Sequence, residues 1–437
     1  MDQQHTTMMA LSDQWRPWPQ AASRADLATY QINRLRAGLR SVLHSNQFYR
    51  RKFADLDVGA LTDYDALRRF PFTTKGELIE DQRANPLYGT NLTFPLHDYI
   101  RLHQTSGTTG QPYKMLDTAE SWDWWADCWA TVLHAAGATN DDVVFLAFSF
   151  GPFIGFWSAY EGAKRIGALV VPGGGQTSLQ RLQTILAVRA TVLICTPTYA
   201  LHLAEIAQQE GIDLANSSIH KTIHAGEPGA SLPGVRQRIE TAWGARAYDH
   251  AGMTEVGAYG FTCQQQDALH INEGEFIAEI LDPQTNEPVA EGERGELILT
   301  TLGRWGSPAI RYRTRDLVQR GPTTCPCGRT YLTLPGGILG RVDDMLIIRG
   351  VNVYPSSIED TLRRFPDVQE FRITVFKDGA LDEIALEVEC PESLVPQIET
   401  MLRQTLSLRV PVQAAPAGSL PRFELKARRI VDKRTEG

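Results

Sequence analysis

Apolar residues Ile32, Leu35, Leu39, Val42 and Leu43 recur at the spacing of one helical face, which predicts a helix over 27–45. Trp122, Trp125 and Trp129 share a second such face. With no basic residues among them they read as a buried packing surface and not as a platform for stacking bases. Arg69-Phe70-Pro71-Phe72-Thr73-Thr74-Lys75 reads as a turn into a helix, with Thr73 or Thr74 able to cap it. Further on, short apolar runs at 143–148, 168–171, 192–195 and 221–224 have strand length. They alternate with helical stretches at 157–166, 182–188 and 199–209. That alternation predicts βαβ units: an α/β fold with a mostly parallel sheet covered by helices on both faces. Between Gly274 and Val318 the period changes to strict alternation broken by Asp-Pro and Gly-rich turns, as in a small antiparallel β region. After Gly340 a second, compact α+β unit is predicted, with strands at 343–348, 371–376 and 384–388 and helices from Pro355 and over 394–406. The boundary falls at Arg341 to Asp344, giving a large N-terminal domain, 1–342, and a small mobile C-terminal domain, 343–437.

In open α/β sheets ligands bind beyond the carboxyl ends of the strands. Phe150-Gly151-Pro152-Phe153 and Ala225-Gly226-Glu227-Pro228 each follow a predicted strand and are pocket candidates on topology alone. The apolar positions around Tyr99 and Leu102 place a further strand before Thr105-Ser106-Gly107-Thr108-Thr109-Gly110-Gln111-Pro112. Hydroxyls and glycines of that kind can form a nest of backbone amides for an anion such as phosphate. No Gly-Lys-Ser/Thr follows, so the loop is not a Walker A phosphate loop.

Four more stretches follow in order: Tyr248-Asp249-His250-Ala251-Gly252-Met253-Thr254-Glu255, Arg311-Tyr312-Arg313-Thr314-Arg315-Asp316, Gly340-Arg341-Val342-Asp343-Asp344, and Lys426. Together with the loop they resemble the adenylate-forming superfamily of acyl-CoA synthetases, peptide-synthetase adenylation domains and luciferases. Arg313-Thr314-Arg315-Asp316-Leu317 and the run from Asp343 to Pro355 look most like phenylacetate–CoA ligases and related aryl-CoA ligases. The resemblance implies an ATP-dependent ligase that joins an aromatic acid to coenzyme A through an acyl-adenylate. By the same resemblance, Thr105, Ser106, Gly107, Thr108, Thr109 and Gly110 would hold phosphates. Gln111 stands where many relatives have Lys, which removes a positive charge and keeps a donor. Thr254 and Glu255 would meet the α-phosphate and Mg²⁺, a hard cation suited to a carboxylate and phosphate oxygens. Asp316 would accept from the ribose hydroxyls, unless it instead partners Arg313 or Arg315. Gly226, Glu227, Pro228 and Asp249 would border adenine, and Arg341 the ribose or phosphate. Lys426 matches the C-terminal catalytic lysine, although Leu425 replaces the usual preceding glycine. Asp343 would be the hinge, with Arg349 and Gly350 facing coenzyme A in the second half-reaction. Phe150, Phe153, Ala225, His250 and Gly252 align with the aryl-acid pocket. A polar His250 there favours a substituted benzoate such as anthranilate over phenylacetate. Two other readings stay open: delivery of the acyl group to an acyl carrier protein, and a non-catalytic nucleotide-binding homologue.

Cys325-Pro326-Cys327 places two thiols on a tight turn, and Cys263 with His270 would complete a Cys₃His set suited to structural zinc. The other four features of composition act mainly by exclusion. A net charge of −8 gives no basic footprint for nucleic acid or an anionic membrane surface. No apolar stretch approaches the roughly 20 residues of a membrane span. The amino-terminal residues lack the pattern of a signal peptide. Six cysteines without regular spacing suggest no disulfide scaffold, so a cytoplasmic setting is expected, and a homodimer is compatible with it.

Overall fold

The computed structural model describes residues 20–105, 112–342, 345–349, 351–378, 381–423 and 427–434. The first helices of the described residues are α1 (Arg24–Ser45), α2 (Gln47–Lys52), α3 (Tyr64–Leu67) and α4 (Lys75–Ala84). In α1, Leu27, Ile32, Leu35, Leu39 and Val42 are buried, as the periodicity predicts. Thr74, not Thr73, caps α4. Its hydroxyl accepts from the Glu77 amide while the Glu77 carboxylate accepts from the Thr74 amide. Thr73 is used elsewhere: its hydroxyl donates to the Ile310 carbonyl, 2.8 Å away, tying this turn to the β region.

Among the described residues, strands β1 (Tyr99–Gln104) and β2 (Lys114–Thr118) pair only with each other, as an antiparallel hairpin. Next come α5 (Ala119–Ala135), β3 (Val143–Leu146), α6 (Ile154–Arg165), β4 (Leu169–Pro172), α7 (Ser178–Ala187), β5 (Val192–Cys195), α8 (Pro197–Gln209), β6 (Lys221–His224), α9 (Pro233–Trp243), β7 (Arg246–Met253), β8 (Gly257–Thr262) and β9 (Leu269–Ile271). With β13 (Thr333–Leu334) these strands build one eight-stranded sheet in the order β13-β9-β8-β7-β6-β5-β3-β4. The run β4-β3-β5-β6-β7 is parallel, and its inner strands β3 and β5 are buried and uniformly apolar. From β7 to β13 pairing is antiparallel, an extension that the alternation of strands and helices does not predict. Trp122, Trp125 and Trp129 on α5 are all buried in the principal core, so their face packs inward.

The antiparallel β region is a four-stranded sheet of β10 (Phe276–Leu281), β11 (Arg294–Thr301), β12 (Tyr312–Gln319) and β14 (Ile338–Arg341). A short hairpin, β15 (Leu346–Ile348) and β16 (Val351–Val353), leads to α10 (Pro355–Arg363), β17 (Phe371–Asp378), β18 (Leu381–Glu389), α11 (Val395–Leu406), β19 (Val412–Ala415) and β20 (Ile430–Asp432). The last four strands pair in the order β19-β18-β17-β20. Apolar side chains from Leu346 to Val410 form a hydrophobic cluster separate from the principal core. Among the described residues, no helix is long and apolar enough to cross a membrane.

Candidate active site

Three predicted site segments follow the carboxyl ends of the parallel strands β3, β6 and β7, with β5 between the first two. After β3, Phe150 packs edge-on against Trp157, 4.9 Å between ring centroids, and Phe153 leads into α6. The Pro152 carbonyl accepts from the Gln104 amide at 3.1 Å, so this segment lies against the end of β1. Thr105 closes the base of the predicted phosphate loop. Its amide donates to the Tyr113 carbonyl, and its hydroxyl accepts from the Tyr113 amide, each at 3.0 Å. Ser106, Gly107, Thr108, Thr109, Gly110 and Gln111 lie outside the described residues, as do Asp343, Gly350 and Lys426.

After β6, Ala225 donates to the Cys195 carbonyl. Gly226 turns at φ +95°, a conformation that favours glycine. Glu227 follows, with one carboxylate oxygen accepting from the Thr198 amide at 2.9 Å and the other from the Ala427 amide at 3.0 Å. Beyond Pro228, the Ser231 amide donates to Asp249 Oδ2 at 3.1 Å, which joins this turn to β7. Burial pushes the Asp249 carboxyl up to about 6, against the pull of its bonds from Ser231.

On β7, His250 is buried beneath Trp129, with ring centroids 4.3 Å apart. Its Nδ1 lies 2.8 Å from the Gly260 carbonyl, which can only accept. The proton is therefore on Nδ1 and the lone pair on Nε2. Burial lowers its pKa to about 4, so the ring stays neutral near neutral pH. A Cβ at Gly252 would stand 2.9 Å from Nε2, so glycine there keeps the space beside the acceptor open.

The turn between β7 and β8 carries Thr254 and Glu255. Glu255 is only 6% exposed, unlike a solvated acid at a helix start, and pairs with Lys75 at 3.0 Å. The Thr254 carbonyl accepts from Arg304 Nη1 at 2.5 Å. Arg304 in turn forms a two-pronged pair with Asp117, both contacts 2.7 Å and both side chains fully buried. On β12, Asp316 stands opposite Arg341 of β14, their charged atoms 3.9 Å apart, and accepts from the Tyr259 hydroxyl at 3.1 Å. Arg313 pairs with Glu296 and not with Asp316. Arg349 pairs with Glu383.

The positioning groups Lys75, Asp117, Arg304 and Tyr259 carry no local sequence signal. Asp117 and Arg304 are 187 residues apart, and each looks like an ordinary surface charge when read alone.

The profile of the AMP-binding enzyme family matches residues 59–303, and that of the AMP-binding enzyme C-terminal domain matches residues 350–434. The phenylacetate-coenzyme A ligase of Escherichia coli K12 is 35% identical over 434 residues, covering 95% of this chain and 97% of that protein. The chain belongs to the AMP-binding enzyme family. Within this adenylate-forming family it falls among the phenylacetate–CoA ligase-like members, as an AMP-forming acid–thiol ligase. A 2-hydroxyisobutyryl-CoA ligase in the postadenylation state, in complex with an acyl-AMP, superposes with a TM-score of 0.88. It is 31% identical, and the match covers 93% of this chain and 89% of that one. The same ligase in the thioesterification state, with 2-HIB-AMP and CoA, gives 0.73 at 32% identity, over 95% and 91% of the two chains.

The four predicted zinc ligands also converge. Donor atoms of Cys263, His270, Cys325 and Cys327 all lie within 4.8 Å of one another. The Cys263 and Cys325 sulfurs are 3.8 Å apart, and Cys327 Sγ is 3.8 Å from His270 Nε2. Four ligands about 2.3 Å from a tetrahedral zinc would have sulfurs about 3.8 Å apart, whereas a disulfide needs about 2 Å. His270 Nδ1 is buried with no hydrogen-bond partner among the described residues, and its ring stacks on Phe261. The donor set and spacing therefore fit zinc, which would fasten the β8–β9 turn to the loop before β13.

Proposed function

We propose that this protein activates an aromatic carboxylic acid with ATP and transfers the acyl group to coenzyme A. One acid oxygen attacks the α-phosphorus of ATP, and the bond from that phosphorus to the α,β-bridging oxygen breaks, so that pyrophosphate leaves with the bridging oxygen. The coenzyme A sulfur then attacks the acyl carbon, its proton is lost and AMP departs. What carries this reading is the turn at Thr254 and Glu255: an acid held almost out of water, gripped through Arg304 and Lys75, at the carboxyl end of β7. A carboxylate fixed in a poorly hydrated place suits a divalent cation that would offset the negative charge of a phosphoryl-centred transition state. Glu255 would hold Mg²⁺, which would supply charge neutralisation at the phosphates. Asp316, oriented by Tyr259 and Arg341, accepts from the ribose hydroxyls. Asp249 and the turn at Gly226, Glu227 and Pro228 lie beside adenine. Thr105 and the loop Ser106 to Gly110 take the phosphates. Lys426 bridges acid and α-phosphate in the first step, and the 343–437 unit turns about Asp343 to bring Arg349 and Gly350 toward coenzyme A for the second. The phenylacetate-coenzyme A ligase relatives support the choice of coenzyme A over a carrier protein.

The acid pocket comprises Phe150, Phe153, Ala225, His250 and Gly252, and the bare Nε2 of His250 supports an acid carrying an N–H or O–H donor, such as anthranilate. A panel of anthranilate, salicylate, benzoate and phenylacetate in a pyrophosphate-release assay tests this. Anthranilate is expected to exceed benzoate in kcat/KM by roughly tenfold, the scale of one good hydrogen bond. A wide margin for phenylacetate overturns the polar-pocket reading. No acyl-AMP with any acid overturns the function itself.

Cys263, His270, Cys325 and Cys327 hold a structural zinc in the same reading. Protein dialysed against a weak chelator is expected to retain zinc, and a strong chelator to lower its melting temperature. Zinc-free protein after the mild treatment would end this assignment.

A further inference from the structure

Glu227 stands at the meeting of the two hydrophobic units. Its carboxylate accepts from two amides at once: Thr198, at the start of α8, and Ala427, the residue next along the chain to Lys426. Two residues further, the buried guanidinium of Arg429 donates to the Thr198 hydroxyl at 3.2 Å. It also binds both oxygens of Glu370 at 2.6 and 3.1 Å and Glu359 at 3.0 Å. Thr198 is thus held from both sides of one residue, by Glu227 at its amide and by Arg429 at its hydroxyl. Glu359 and Glu370 belong to the small unit, so Arg429 carries the order of that unit across to α8. Arg422 adds a contact to Glu205 on α8 at 3.5 Å.

We infer that Glu227, Thr198 and Arg429 are positioning residues: a latch that fixes the backbone beside Lys426 for the adenylation step and opens for thioester formation. This rests on the adenylation reading above. The contacts occur in a chain whose arrangement is closer to a relative's postadenylation state than to its thioesterification state, by TM-scores of 0.88 and 0.73. A carboxylate that receives an amide from each unit suits a contact that forms in one arrangement and is lost in the other, because an ionised acceptor strengthens both bonds and regains water when it is released.

Glu227→Gln keeps the shape but turns one acceptor into a donor that faces an N–H. With the full chain and the best acid of the panel, its kcat for ATP–pyrophosphate exchange is expected to fall about tenfold or more. In Thr198→Ala, which lies outside the nucleotide site, the KM for ATP should stay within about twofold, and so should conversion of separately prepared acyl-AMP to thioester by coenzyme A, since neither uses the latch. Amide hydrogen exchange at Ala427 should quicken with no change in global melting. Thr198→Ala, a milder change, should act in the same direction by about threefold. Unchanged exchange at Ala427 or, in Thr198→Ala, an equal fall in both half-reactions or a raised KM for ATP with kcat intact would each overturn the latch. A wild-type chain that adenylates nothing would refute the adenylation reading instead, and Ala427 exchange would still report on the contact.

Discussion

Glu255→Gln is expected to slow acid-dependent pyrophosphate release by about 10²–10³-fold, the scale of removing one fixed electrostatic group from a transition state. The substitution preserves volume, and Glu255 meets Lys75 through one oxygen, 3.0 Å away. Lys75 is 40% exposed at its side chain, so the pair adds little to stability, under about 1 kcal/mol. The loss should therefore appear in turnover and in the magnesium concentration needed for half-maximal rate, with unfolding nearly unchanged. A Glu255→Gln enzyme as fast as wild type at limiting magnesium would remove Glu255 from the reaction.

The second large effect is structural in origin. Asp117→Ala should lower the free energy of unfolding by about 3–5 kcal/mol, because it strands a buried guanidinium. Arg304 and Asp117 are each 0% exposed at the side chain, and Arg304 lies over the Trp125 ring at 5.2 Å. Urea denaturation of the single variant measures this loss. An apolar pair, Asp117→Leu with Arg304→Met, should recover most of it, since replacing both partners is often neutral. Adenylation should not recover with it, because the Thr254 carbonyl has still lost its donor from Arg304. If activity returns together with stability, Arg304 serves the core and not the turn.

The parts of this chain that were legible in its sequence share a physical trait. Val192–Cys195 is buried on both faces, so its apolar run marks the strand to the residue. The tryptophan face of α5 was equally plain, because burial and helical period coincide there. Strand β7 was harder. Its Tyr248-Asp249-His250 stretch reads as motif and not as strand, because its buried polar side chains Asp249 and His250 are satisfied by Ser231 and Gly260 from other elements. The Cys₃His set was legible as residue types, and only folding shows that positions 263 and 325 meet. Asp117 with Arg304, Lys75 with Glu255 and Glu227 with Ala427 were not legible at all. Each is a long-range pairing of common residues, and no local pattern encodes a partner nearly two hundred positions away.

Among the described residues β1 and β2 pair with no other strand, so the loop between them is bracketed by a ribbon separate from the eight-stranded sheet. Lengthening, shortening or recoding that loop would leave every hydrogen-bond register of the main sheet where it is. Lineages descending from a chain built this way are free to experiment with how they grip a polyanion, at little risk to folding. An exchange such as Gln for Lys at position 111 is the sort of drift such an arrangement tolerates.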